Sequence, residues 1–176
     1  MTILISGGDS FTYGNELQDC YKEKNYSEFT WAALLAKQLK MNYCCTAKGG
    51  DSNSAIQRKV MNTINKYDGN NLCVVVMWSF PNRYEFKFTY DTQQSDGKWY
   101  SINPWTHQEV DPSEHYIEQN NLVLAEHKQN RKRAENLGIT DFAKTFINHV
   151  AGEEYWEIYQ SLVEIIMLQN YLKTKD

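Results

Sequence analysis

An α/β fold with a parallel sheet is the class that the sequence predicts, mainly because of the order of its apolar segments. Three short apolar runs, at residues 2–6, 41–47 and 72–78, alternate with helical patterns at residues 29–39 and 52–66. Strand, helix, strand, helix, strand is the pattern of a parallel sheet. With right-handed crossovers, it predicts a three-layer α/β/α sandwich of strand order 2-1-3, with the first run in the middle.

Each of these elements has its own support in the sequence. The third run, Leu-Cys-Val-Val-Val-Met-Trp, has the composition of a strand buried on both faces. The first helix is predicted from apolar side chains at helical spacing, namely Phe29, Ala32, Ala33, Ala36 and Leu39. The second helix places Ile56, Val60, Thr63 and Ile64 on one face.

The pattern changes after the third strand. Residues 84–102 alternate aromatic and polar side chains around Asp96-Gly97, a strong signal for a hairpin turn. We therefore predict an inserted β-hairpin that lies over the carboxyl end of the sheet. Helices are expected at residues 117–137, 141–150 and 153–172, and the last is apolar nearly all round.

Length and composition limit the classes of protein that the chain can belong to. The 176 residues suffice for one domain, which we expect to span residues 1–176. A net charge of −4 offers no electrostatic footprint for nucleic acid, and no apolar segment approaches the ~20 residues of a membrane span. Four cysteines without a Cys-x-x-Cys pair and no signal peptide favour a reduced, cytoplasmic protein. We expect no cofactor and no metal.

The segment Gly8-Asp9-Ser10-Phe11 is the most informative motif, because it puts a serine where the first strand ends and a helix begins. Ligands of open parallel sheets bind at the carboxyl ends of the strands. A serine there can serve as nucleophile and offer its backbone N–H as an oxyanion donor. The alternative interpretation is a helix N-cap on a glycine-rich turn.

Two further loops follow strands of the same predicted sheet. Gly49-Gly50-Asp51-Ser52-Asn53 follows the second strand, and Ser79-Phe80-Pro81-Asn82-Arg83 follows the third. In a 2-1-3 sheet all three loops open on one crevice. Glycine in the second loop allows the backbone to approach a substrate oxygen and donate an N–H.

These segments resemble those of the SGNH, or GDSL-like, hydrolases, a family of esterases and acylhydrolases with a flavodoxin-like α/β/α fold. The stretch Gly8-Asp9-Ser10-Phe11-Thr12-Tyr13-Gly14 is similar to the nucleophile segment of the family. The resemblance implies that Ser10 and Asp9 are the catalytic residues of this segment, with Ser10 as the nucleophile and its N–H as one oxyanion donor. It implies a second donor at Gly49 or Gly50.

The chain departs from the family pattern in two places. After the third strand the family has Gly-x-Asn-Asp, whereas this chain offers Ser79 or Asn82 as the third oxyanion donor. The family also has a C-terminal Asp-x-x-His that supplies the base, and the chain ends at Asp176 before such a block. We therefore expect that the domain lacks its C-terminal part. His115 is the candidate base among His107, His115, His127 and His149.

Three functional hypotheses follow from these residues. The first is a serine esterase that acts on an acyl ester or an acetylated sugar. The second is a binding module on the same fold that lacks the histidine base and is weakly active or inactive. The third is a phosphate-binding protein that uses Gly7-Gly8, although the chain has no Gly-x-Gly-x-x-Gly.

A homodimer is the expected assembly. A sheet that stops at its third strand leaves a long apolar edge, which pairs with another chain unless it is covered. The last helix is also too apolar to face water alone. We expect a second copy of the chain to cover it, with twofold symmetry.

Overall fold

Two compact units make up the computed structural model of the protein. The structure describes residues 2–23, 25–88, 98–104, 106 and 132–175. The first unit comprises Met1–Glu85 and Glu154–Asp176, and the second comprises Phe86–Glu153. Every residue of the site described below belongs to the first unit.

A three-stranded parallel sheet organises the first unit. Its strands are β1 (Ile3–Gly7), β2 (Asn42–Cys45) and β3 (Leu72–Val76), in the order β2-β1-β3. Cα pairing aligns Ile5 with Cys44 on one side and with Val74 on the other, and both pairs of strands are parallel. The predicted α/β class and the predicted strand order are confirmed.

Four helices connect or follow these strands. They are α1 (Ser10–Tyr13), α2 (Gln18–Glu23), α3 (Trp31–Gln38) and α4 (Asn53–Lys66). The two long ones match the predicted helices and begin after side-chain caps. The Thr30 Oγ1 accepts a hydrogen bond from the Ala33 N–H at 3.3 Å, and the Ser52 Oγ accepts one from the Ala55 N–H at 3.2 Å.

The second unit contains the predicted hairpin. Strands β4 (Tyr84–Phe88), which starts in the last two residues of the first unit, and β5 (Lys98–Ile102) form a two-stranded sheet. The Asp96-Gly97 turn lies outside the described residues. Helix α5 (Ile139–His149) matches the helix predicted at residues 141–150. Of the helix predicted at residues 117–137, the described part is residues 132–136, which are helical.

The core of the first unit lies between the sheet, α4 and the last helix, α6 (Glu154–Lys173). Its buried cluster consists of Ile5, Ile56, Val60, Ile64 and Leu168. The predicted apolar face of the second helix therefore packs against the middle strand. Among the described residues, no helix is both long and apolar enough to cross a membrane.

Candidate functional site

Side-chain contacts join the three loops that follow the strands. The Ser79 hydroxyl of the third loop donates to the Asp9 Oδ2 of the first at 3.2 Å. The Ser79 backbone N–H donates to the Asn53 Oδ1, at the end of the second loop, at 2.7 Å. The sequence predicts that these loops open on one crevice, and these contacts bring together one polar residue from each of the three loops.

Ser10 is the first residue of α1, and only Gly8 and Asp9 separate it from the end of the middle strand. It is half-buried, and its hydroxyl makes no hydrogen bond to any residue that the structure describes. The turn before it requires glycine, because a Cβ on Gly8 would lie 2.1 Å from the Thr12 Oγ1. The serine therefore sits on a tight strand-to-helix turn, with its hydroxyl left without a hydrogen bond within the described part of the chain.

Asp9 is buried, and its carboxylate accepts hydrogen bonds from three groups. Its Oδ1 accepts from the Phe11 N–H at 3.1 Å, so the N-cap interpretation of this residue is correct. Its Oδ2 accepts from the Arg83 Nη1 at 3.1 Å as well as from Ser79. The Arg83 Nη1 also donates to the Ser79 Oγ at 2.9 Å, and its guanidinium lies 5.1 Å from the centre of the Phe80 ring. The Asp9 carboxylate is thus engaged in structural contacts on both oxygens.

Asn53 ties the third loop to two helices. It is the first residue of α4, and its Nδ2 donates to the Ser79 backbone oxygen at 3.2 Å and to the Ser161 Oγ of α6 at 3.0 Å. Together with the bond from the Ser79 N–H, its amide holds both backbone groups of Ser79. This amide is 4% exposed, so water does not replace these partners readily.

One glycine of the second loop, Gly49, lies against Asn15, which follows α1. A Cβ on Gly49 would lie 2.6 Å from the Asn15 Nδ2, which places that side-chain amide against the Gly49 backbone. Gly50 has a φ of +81°, a left-handed conformation that favours glycine, and open space around its Cα. The Asn15 N–H in turn donates to the Ser10 backbone oxygen at 3.2 Å.

Asp51 follows these glycines and is buried against Lys59. The Lys59 Nζ contacts both carboxylate oxygens, at 2.7 and 2.6 Å. Burial raises the pKa of Asp51 to about 6, and the Lys59 charge opposes that rise. This carboxylate would titrate close to neutral pH, but both its oxygens face an ammonium group.

The remaining predicted site residues are placed as follows. Asn82 lies in the third loop, and its Oδ1 is buried without a hydrogen-bond partner among the described residues. His115 lies outside the described residues, as do His107 and His127. His149 is exposed on α5 in the second unit. Over the described part of the chain, no group of three His, Cys, Asp or Glu side chains could hold a metal ion.

Three residues to which no role was assigned from the sequence lie at this site: Asn15, Asn53 and Arg83. Only their positions, directly after or within the strand-end loops, could have drawn attention to them. Their contacts make the arrangement a serine on a tight turn, whose preceding aspartate is bonded to a largely buried arginine, with Gly49 of the second loop against Asn15. Comparisons of the chain with models of protein families, with curated proteins and with solved structures found no match.

Proposed function

We propose that this protein is a serine esterase or acylhydrolase of the SGNH, GDSL-like, type that acts on an acyl ester or an acetylated sugar. The single observation that carries the proposal is the position of Ser10. It begins α1 two residues after the middle strand ends, at the carboxyl end of the sheet, where the three loops are joined. Ligands of open parallel sheets bind at this end.

The proposed chemistry is acyl transfer through Ser10. Its hydroxyl oxygen forms a bond to the acyl carbon, and a base takes the hydroxyl proton and passes it to the departing alcohol. Water then attacks the acyl-enzyme and releases the acid. The Ser10 N–H and an N–H of Gly49 or Gly50 would stabilise the negative oxygen of the tetrahedral intermediate. Because the Ser79 hydroxyl and N–H already donate to Asp9 and Asn53, Asn82 is the candidate for a third donor.

The finer fold that we propose is the three-layer, flavodoxin-like sandwich. Its support is the alternation of side chains along the middle strand. Ile3 and Ile5 pack with α4 and α6, and alternation then turns Leu4 to the opposite face of the sheet. Helix α3 packs against β2. A helix layer on each face would follow.

The base that takes the Ser10 proton must be a residue other than Asp9. Both oxygens of Asp9 are engaged, which leaves this carboxylate poorly suited to accept the Ser10 proton. His115 remains our nominated base. Without a histidine base, the oxyanion hole and substrate binding alone would leave only slow turnover.

A catalytically weak binding module is the second candidate function. The specific observation that favours it is the engagement of Asp9 with Arg83 and Ser79, because it removes the nearest carboxylate from acid–base chemistry. Such a module would keep the crevice and bind the same esters or carbohydrates without efficient hydrolysis.

A serine-directed fluorophosphonate tests the proposal directly. We expect it to label the wild-type protein at Ser10 and not to label Ser10→Ala, because only an activated serine displaces fluoride at a useful rate. Ser101→Ala is the matched control, since Ser101 is a half-buried serine of β5 in the second unit. Labelling that persists in Ser10→Ala, or that is lost in Ser101→Ala, would contradict the assignment of the nucleophile.

A further inference from the structure

We infer that Arg83 and Ser79 are positioning residues for Ser10 and that they act through the Asp9 carboxylate. The inference rests on the proposed function, in which Ser10 is the nucleophile. Asp9 precedes Ser10 in the chain, and its Oδ1 accepts from the N–H of the residue that follows Ser10, at 3.1 Å. The carboxylate therefore holds the backbone on both sides of the serine.

The other oxygen of this carboxylate is anchored to the third loop. The Arg83 Nη1 and the Ser79 Oγ donate to the Asp9 Oδ2 at 3.1 and 3.2 Å. The side chains of Arg83 and Asp9 are 10% and 4% exposed. Little water competes with charge-assisted hydrogen bonds in such a shielded place, so these bonds keep a defined geometry.

The anchor itself has little freedom to move. Asn53 holds the Ser79 N–H and the Ser79 backbone oxygen at 2.7 and 3.2 Å, and it also bonds to Ser161. A continuous set of hydrogen bonds thus leads from α4 and α6 to the turn that carries Ser10. A supporting shell of this kind holds a reacting group within the fraction of an ångström that catalysis requires.

An ion pair that only stabilised the fold would affect unfolding and leave the reactivity of Ser10 unchanged. The chain offers such a pair for comparison. The Arg58 Nη2 contacts the Glu85 Oε1 at 2.5 Å, with side chains 27% and 5% exposed, and this pair joins α4 to the start of β4. Arg58→Met is therefore the matched control for Arg83→Met.

The experiment measures fluorophosphonate labelling of the full chain and separates the maximal labelling rate from the apparent affinity for the reagent. We expect Arg83→Met and Ser79→Ala to lower the maximal rate about tenfold or more, because a misplaced nucleophile reacts slowly. The apparent affinity should stay within about twofold, since neither residue touches the reagent under this inference. Arg83→Lys should restore part of the rate, and Arg58→Met should keep the wild-type rate.

A double mutant tests the route through Asp9. If Arg83 acts through that carboxylate, Asp9→Asn combined with Arg83→Met should label no more slowly than the slower single variant. Additive losses would overturn the route. Hydrogen exchange gives a readout that does not depend on labelling: the Phe11 amide should exchange faster in Arg83→Met and not in Arg58→Met.

Failure of the inference and failure of the proposed function give different results. A wild-type protein that is not labelled at Ser10 would overturn the proposed function. A labelled wild type with unchanged maximal rates in Arg83→Met and Ser79→Ala would overturn the positioning role alone. Ser79→Ala removes a single oxygen atom. If Arg83→Met does not fold, the maximal labelling rate of Ser79→Ala therefore tests the positioning role.

Discussion

Asp51 shows how one buried residue links the candidate site to pH. It lies in the second loop, directly after Gly50, and its carboxylate is buried against the Lys59 ammonium. Burial disfavours the charged carboxylate and the ammonium favours it, and the balance raises the pKa to about 6 from the ordinary value of 3.8. The folded chain therefore binds a proton at Asp51 more readily than the unfolded chain does.

The sign of the resulting pH dependence follows from this difference. Stability contributed by a raised pKa is fully present below about pH 4 and is lost as the pH rises through about 6. We expect the unfolding free energy of the wild type relative to Asp51→Asn to fall by up to about 3 kcal/mol over that window. Urea unfolding of both proteins between pH 4 and 7.5 measures it. A difference that is constant or rises with pH would contradict the prediction.

Turnover is the second prediction at the scale of single residues. We expect the 176-residue chain to hydrolyse short-chain esters at least about a thousandfold more slowly than an enzyme with a complete triad. The reason is that no Asp-x-x-His is present and that Asp9 is already engaged. A steady-state assay decides, because a turnover in the usual range of about 1 to 1,000 per second would contradict the expectation. His115→Ala is then the first variant to test.

At the scale of elements, Asn53 connects three parts of the first unit, namely α4, α6 and the third loop. It starts α4, holds both backbone groups of Ser79 and bonds to Ser161 of α6. Thr30 is a local helix cap: its hydroxyl accepts from the Ala33 N–H of its own helix and donates to the Ser27 backbone oxygen, three residues earlier. The two residues therefore differ in the number of elements that depend on them.

Substitution by alanine should reveal this difference. We expect Asn53→Ala to lower the unfolding free energy by about 2 to 3 kcal/mol, because it leaves the Ser79 N–H without its partner in a shielded place. Thr30→Ala should cost about 1 kcal/mol, the usual effect of losing a cap. Equal losses in urea unfolding would show that Asn53 acts only at the start of its own helix.

At the scale of the whole molecule, α6 presents large apolar side chains to solvent. Tyr159, Leu162 and Ile166 are each about half exposed, at 50%, 50% and 52%. Its buried positions include Ser161 and Leu168, so part of the inward face is polar. In the described part of the chain, β3 pairs with β1 alone. On the basis of these features we propose a homodimer that forms through the last helix.

A charge on this face should prevent the proposed dimer. We expect Leu162→Glu and Ile166→Glu to sediment as monomers at micromolar concentration, where the wild type sediments as a dimer, because dimerisation would bury the added carboxylate. Asn62→Glu, at an exposed polar position of α4, adds the same charge away from this face and should leave the dimer intact. A wild type that stays monomeric at this concentration would contradict the proposal.

Local patterns were sufficient to predict the three strands and the longer helices of the first unit. The apolar runs predicted β1, β2 and β3, and helical spacing predicted α3 and α4, because these signals lie within a few residues of one another. The strand order also followed, since the handedness of crossovers leaves few alternatives. The short helices α1 and α2 were not assigned bounds, because four to six residues carry too little periodicity.

In the candidate site, too, some features followed from local patterns and others did not. The sequence by itself determined that Ser10 follows the middle strand and that glycines and Ser79 follow its neighbours, because the carboxyl ends of parallel strands share one edge of a sheet. Only the tertiary structure decided the partners of Asp9, which is bonded to Arg83 more than seventy positions away along the chain. Such a contact depends on how loops from different strands close on one another, and no local pattern of residues encodes that closure.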